Sequence, residues 1–106
     1  MDSTVSISPD VVREVARITT LATPGVLALV DKPGAQHASR DAFRGVEVAV
    51  RDKRAHVRLR LVAAADVSLI ELGHKLQTDV SSAVAELVGM DVTAVDVTFE
   101  DVRIPA

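Results

Sequence analysis

Between residues 54 and 61 the chain reads RAHVRLRL, a strict alternation of basic and aliphatic side chains. Period two puts Ala55, Val57, Leu59 and Leu61 on one face of a strand and Arg54, His56, Arg58 and Arg60 on the other. A strand with one apolar and one cationic face needs an apolar layer on one side only, so the chain must build a sheet covered on a single face. Just upstream, Val46, Val48 and Val50 alternate with Glu47 and Ala49, and RDKR turns the chain, which predicts a hairpin. TVSIS (Thr4–Ser8), VLALV (Val26–Val30) and DVTAVDVTFEDV (Asp91–Val102) read as further strands. In the last of these Thr93, Val95, Val97 and Phe99 share one face, and Asp96, Thr98 and Glu100 the other.

Two stretches switch to helical spacing. From Pro9 to about Ala22 apolar residues recur at Val11, Val12, Val15, Ile18 and Ala22. Ser8 is a good N-cap, followed by proline at the first helical position. Glu14 and Arg17 are spaced to pair on the solvent side. The second helix starts at Ser68-Leu69-Ile70-Glu71, a capping box with Val67 and Leu72 placed as its staple. Its stripe is Leu69, Leu72, Leu76, Val80, Ala83 and Leu87, widened by Ile70, Val84 and Val88, and Gly89 ends it. The reading is an α+β fold in the order β-α-β-β-β-α-β: a small sheet of about five strands, two amphipathic helices on one face, the other face wet.

Between the first helix and VLALV lies LATPGV, Leu21 to Val26. Pro24 disfavours helix at Thr23, and Gly25 frees the backbone to reverse. A phosphate-cradling loop has the opposite order, with a helix N-terminus aimed at the anion. LATPGV is punctuation. From Asp31 to Gly45 periodicity disappears, so residues 31–45 are expected to be a flexible loop within one domain spanning 1–106.

Aromatic residues are 2% of the chain, Phe43 and Phe99 alone, so ring-stacking of cofactors or nucleobases has little support. There is no cysteine, which excludes disulfides, thiolate metal sites and cysteine nucleophiles. A net charge of −3 gives no global attraction to nucleic acid or anionic lipid. The N-terminus has no signal-peptide pattern, and no apolar run approaches a bilayer's thickness.

His37, His56 and His74 lack ligand spacing, so no metal and no cofactor is expected. His74 lies between Glu71 and Lys75, which are spaced to pair across one helical turn. Ser68 is engaged as a cap, and Ser81 and Ser82 sit in a helix with no histidine nearby. Asp96 and Glu100 stand on an open sheet face where no pocket is implied, so no catalytic residue is assigned. A loop around Phe43 closing over a pocket would make the chain a ligand binder or enzyme. The row Arg54, His56, Arg58 and Arg60 is the candidate interaction surface. Its functional readings are a stripe for an acidic partner or a small nucleic-acid-binding module. Its plain reading is cross-strand pairing with Glu47, Asp96 and Glu100.

In order along the chain, VSISPDVVREVARITTLATPGV, GVEVAV and AHVRLRLVAAADVSLIELGHKLQTDVSSAVAELVGMDVTAVDVTFEDV resemble the bacterial alkaline shock proteins, also described as envelope stress response proteins. The chain departs from that pattern at Ala63 to Asp66, where many relatives carry an aromatic-glycine pair, and in residues 31–45. The resemblance implies a non-enzymatic cytoplasmic protein of cell-envelope homeostasis, acting as an interaction module. It further implies self-association and recruitment to the inner face of the membrane by a small membrane-anchored protein, with no catalytic residues to carry over.

Overall fold

The structure is a computed structural model and describes residues 3–34 and 44–105. Helix α1 (Pro9–Leu21) leads through the Thr23-Pro24-Gly25 turn into strand β1 (Val26–Leu29). Strands β2 (Val46–Arg51) and β3 (Arg54–Ala64) form the hairpin; α2 (Leu69–Ala83) ends in a π-helical turn (Val84–Val88), and β4 (Asp91–Arg103) closes the chain. Ser8 Oγ accepts from Asp10 N at 3.2 Å and Ser68 Oγ from Glu71 N at 3.3 Å, so both helices start at the expected caps. Ser68→Ala should therefore lower stability by about 1 kcal/mol, read as an earlier denaturation midpoint. Gly89 terminates the π turn with its N–H shared between Val84 O and Ala85 O, both at 3.1 Å.

β3 organises the sheet. Along one edge it pairs in parallel with β4 over its full length, the connection being the α2 crossover. Its other edge is shared end to end by β2 and β1, both antiparallel to it: Val46 to Arg51 match Leu59 to Arg54, and Leu29 and Val26 match Leu61 and Ala63. Between these two segments stands Arg60, which accepts from Val30 N and donates to Gly45 O, both at 2.9 Å. Val30 and Gly45 thus divide between them the two bonds one residue would make, and β1 and β2 are one edge strand interrupted by residues 31–44. Asp31 and Arg44 face each other across the neck at 3.5 Å.

Two expectations need correction. Thr4–Ser8 forms no strand; these residues are exposed, Val5 at 92%. Alternation is only a capacity for pairing, and among the described residues no strand takes this run as a partner. The sheet therefore has four strands among the described residues, and the order opens on α1. The α1 stripe is also rotated from the expected one: Val12, Ala16 and Thr20 are buried, whereas Val11 and Ile18 are about half exposed. Small side chains at Ala16 and Thr20 bring α1 down onto the sheet and push the larger ones to its flanks.

The core holds Val12 and Ala16 of α1, Leu72, Leu76, Val80 and Val84 from the second helix and its π turn, and Val46, Ala55, Val57, Leu59, Leu61, Ala63 and Val95 from the sheet. Both helices thus cover one face. The other face is not wholly wet: Val62 and Ala64, which point away from the helices, are also buried. Thr23, Pro24 and Gly25 close the other end of the sheet, where Gly25 O accepts from Ala64 N at 2.9 Å and the residue sits against Val67 and Leu72. Ala64 and Ala65, in the segment that departs from the family pattern, are tied by backbone bonds to Gly25 and Arg103.

The hairpin turn is Asp52-Lys53, both with positive φ (52° and 62°), the signature of a type I′ turn built without glycine. Lys53→Gly should relieve that strain and stabilise the protein by about 0.5–1 kcal/mol after the added unfolded-state entropy. A melting midpoint that fails to rise would show the turn to be unstrained.

Candidate interaction surface

The open face of the sheet carries the row identified from sequence. Arg54, His56, Arg58 and Arg60 lie on alternate positions of β3, with Arg51, Ala49 and Glu47 opposite the first three on β2 and Asp91, Ala94, Asp96 and Thr98 beside them on β4. His56 Nε2 meets Asp96 Oδ2 at 2.6 Å, and Arg58 Nε lies 3.8 Å from the same oxygen. Arg60 Nη1 donates to Glu100 Oε1 at 2.8 Å in the most enclosed pair of the row, the two side chains 24% and 20% exposed. The carboxylates named from sequence as neutralising partners are thus in place; Glu47 stands opposite Arg58 in the register without a close ion pair among the described contacts.

What positive charge remains sits at the hairpin end, where Arg51 and Arg54 lie beside Asp52. Exposed pairs of this kind contribute little to stability, about 0–1 kcal/mol each, because water and salt screen them. The arrangement fixes the orientation of charges on the face, around two depressions open to solvent, one of about 240 Å³ beside Glu47, His56 and Arg58 and one of about 480 Å³ beside Arg51, Asp52 and Arg54.

At the far end of β4 the Asp101 carboxyl is held below the ordinary carboxylate range, first by the Val102 N–H at 2.8 Å and then by the Arg103 guanidinium at 3.1 Å. On α1 the Arg17 guanidinium does the same for Glu14, at 2.6 Å.

Elsewhere the candidates separate. His74 is exposed on α2, and Lys75 pairs with Asp79 at 2.8 Å rather than with Glu71. Ser68 caps its helix, as expected. His37 and Phe43 lie outside the described residues. A shallow groove of about 490 Å³ runs between α1 and α2, with Ile18, Thr23 and Pro24 on one wall and Lys75, Asp79 and Glu86 on the other. It is what places LATPGV beside a surface depression, but Lys75 and Asp79 satisfy each other within it. No three His, Asp or Glu side chains gather as a metal centre among the described residues. No helix among them is long and apolar enough to cross a membrane.

The sequence profile of the alkaline shock protein 23 family, described by its cell envelope-related function, matches residues 1–104. The chain belongs to this family. No curated protein matches it. Among solved structures it is similar to MamM CTD in a zinc form, with a TM-score of 0.55 and 13% identity over 90% of this chain and 87% of that one. A copper form of MamM CTD gives a TM-score of 0.53, again at 13% identity, over 87% of this chain and 95% of that one. At such identity the likeness is one of fold. As a family member the chain shares the family's cell-envelope-related function.

Proposed function

We propose that this protein is a non-enzymatic interaction module of cell-envelope homeostasis under stress. It works in the cytoplasm, associates with itself, and is held at the inner face of the membrane by a small membrane-anchored partner. The observation that carries the reading is the character of the open sheet face. On it His56 pairs with Asp96 and Arg60 with Glu100 across β3 and β4. Its depressions, of about 240 Å³ beside Glu47, His56 and Arg58 and about 480 Å³ beside Arg51, Asp52 and Arg54, are open to solvent. Among the described residues the outer edge of β4 has no strand partner. Such a surface is suited to contact, whereas catalysis needs groups converging on a pocket. Family membership supplies the envelope setting. The row Arg54, His56, Arg58 and Arg60 is the contact surface for the partner, led by the hairpin end where its charge is least compensated.

The test is crosslinking in living cells with the tagged full chain, membrane and soluble fractions being analysed apart. The expected result is recovery of the protein itself and one small membrane protein, with crosslinked residues on the open face or its edges. Salt-sensitive retention of RNA, lost in an Arg58→Glu/Arg60→Glu variant, would overturn the reading in favour of nucleic-acid binding.

A further inference from the structure

β4 pairs with β3 along one side, and its other edge has no strand partner among the described residues, its one side-chain contact there being Gln77 Nε2 of α2, which donates to Val95 O at 3.1 Å. At 13 residues it is long for an edge strand, and edges of that length recruit other chains unless they are blocked. The register with β3 determines which β4 side chains face the helices: beside Ala55, Val57, Leu59, Leu61 and Ala63 stand Val92, Val95, Val97, Phe99 and Val102. All five are apolar, and they are symmetric about Val97. Two positions out on either side are Val95 and Phe99; five positions out are Val92 and Val102.

Simple alternation cannot give that spacing. It arises because β4 carries two bulges, at Thr93 and Glu100, each shifting the face of the strand by one residue, one on either side of Val97. Bulges ordinarily spoil an edge for pairing. Placed this way, they leave β4 in phase with an antiparallel copy of itself. One charge pair shares the centre: six positions out stand Asp91 and Arg103, both exposed on the open face.

We propose that two copies of this chain pair antiparallel through their β4 edges, with Val97 on the two-fold axis. The inference rests on the self-association in the functional reading above and names its surface. In this register Val95 faces Phe99 of the second copy, and Val102, 42% exposed in the single chain, is covered by Val92 of the second copy. Asp91 meets Arg103 of the second copy at both ends. Arg103 gives its Nε to Asp101 at 3.1 Å and keeps its remaining N–H groups for that contact. The interface is isologous, so it closes at two copies, joins the sheets into one and sets both helix layers on the same side.

Sedimentation equilibrium of the full chain over a concentration series tests it, using the wild type, Asp91→Arg, Arg103→Asp and the double variant. Both residues are exposed, so the folds should survive, which circular dichroism checks. The wild type should be dimeric. Each single reversal should weaken the dimer by on the order of tenfold, through two like-charge contacts, and the double variant should recover it. Because the chain has no cysteine, geometry can be read separately. Val97→Cys should crosslink to itself under mild oxidation. Ala94→Cys should not, since its copy would lie about 20 Å away along the strand. A wild-type dimer indifferent to both reversals, with no crosslink at residue 97, would overturn this interface and leave self-association standing. A wild type that is monomeric at every concentration would overturn both.

Discussion

Gly45→Ala is expected to destabilise the protein by about 3 kcal/mol or more, the sum of a left-handed backbone penalty and a steric one. Gly45 has φ +74°, and a Cβ there would lie 2.7 Å from Arg60 O and Val30 O and 2.8 Å from Val30 N. All three atoms are backbone, and Val30 N and Arg60 O are bonded to each other. None can rotate away as a side chain would. Gly89 is the control, because its φ is +76° and nothing stands within 4 Å of its added Cβ. Gly89→Ala should cost only the conformational part, about 1 kcal/mol. Chemical denaturation of the two variants isolates the crowding. Equal losses would mean that Val30 and Gly45 do not meet at Arg60.

The same geometry explains residues 31–45. Counting along β3, Leu61 faces Leu29, Leu59 faces Val46, and the single position between them, opposite Arg60, is filled jointly by Val30 and Gly45. Removing residues 31–45 would join Val30 to Val46 and leave one residue there, with the register intact on both sides. The shortened chain should fold with a single continuous edge strand and a cooperative melt. Loss of cooperative unfolding would show that the edge depends on what lies between its two halves.

This interrupted strand marks a limit of what the sequence discloses. VLALV is legible as a strand from its short apolar run and GVEVAV from alternation, but neither pattern carries information about partners. That the two share one edge of β3, and that β4 takes the other in parallel, is set by the α2 crossover and by contacts distant in sequence. Thr4–Ser8 fails for the same reason: alternation is a capacity for pairing, and among the described residues no strand takes this run as a partner. The helix caps and the Pro-Gly turn were legible because each depends on a few adjacent residues and local hydrogen bonds. On α1 the periodicity points to Val11 and Ile18 because Ala16 and Thr20 carry little hydrophobic signal beside them, although small size is what lets Ala16 and Thr20 be buried.

The candidate surface divides in the same way. That Arg54, His56, Arg58 and Arg60 share a face follows from alternation, and so does the face shared by Asp96, Thr98 and Glu100. Which cation meets which carboxylate does not. Asp96 reaches His56 and Glu100 reaches Arg60 through the register that β4 takes against β3, which the bulges at Thr93 and Glu100 reset toward its two ends. A bulge leaves no periodic trace in one strand read alone. The centre of symmetry at Val97 is invisible for the same reason, since the uncorrected alternation places Thr93, not Val92, with Val95, Val97 and Phe99.

Leu76→Ala should destabilise the protein by about 3 kcal/mol, whereas Leu87→Ala should change it by less than about 0.5 kcal/mol. Sequence periodicity puts both on one stripe, since their spacing is close to three helical turns. The structure separates them. Leu76 is fully buried between α2 and the sheet, with Leu72 and Val80 one turn to either side, so truncation leaves a void that rigid neighbours on β3 and β4 cannot close. Leu87 lies in the π-helical turn after α2 and is 75% exposed. The turn takes an extra residue per loop of backbone, which rotates the residues after Val84 relative to an α-helix; Val84 stays in the core, Val88 packs against it, and Leu87 swings out. Urea denaturation of the two variants measures this directly. Comparable losses at both positions would mean that the helix continues in α geometry to Gly89 and that Leu87 belongs to the core.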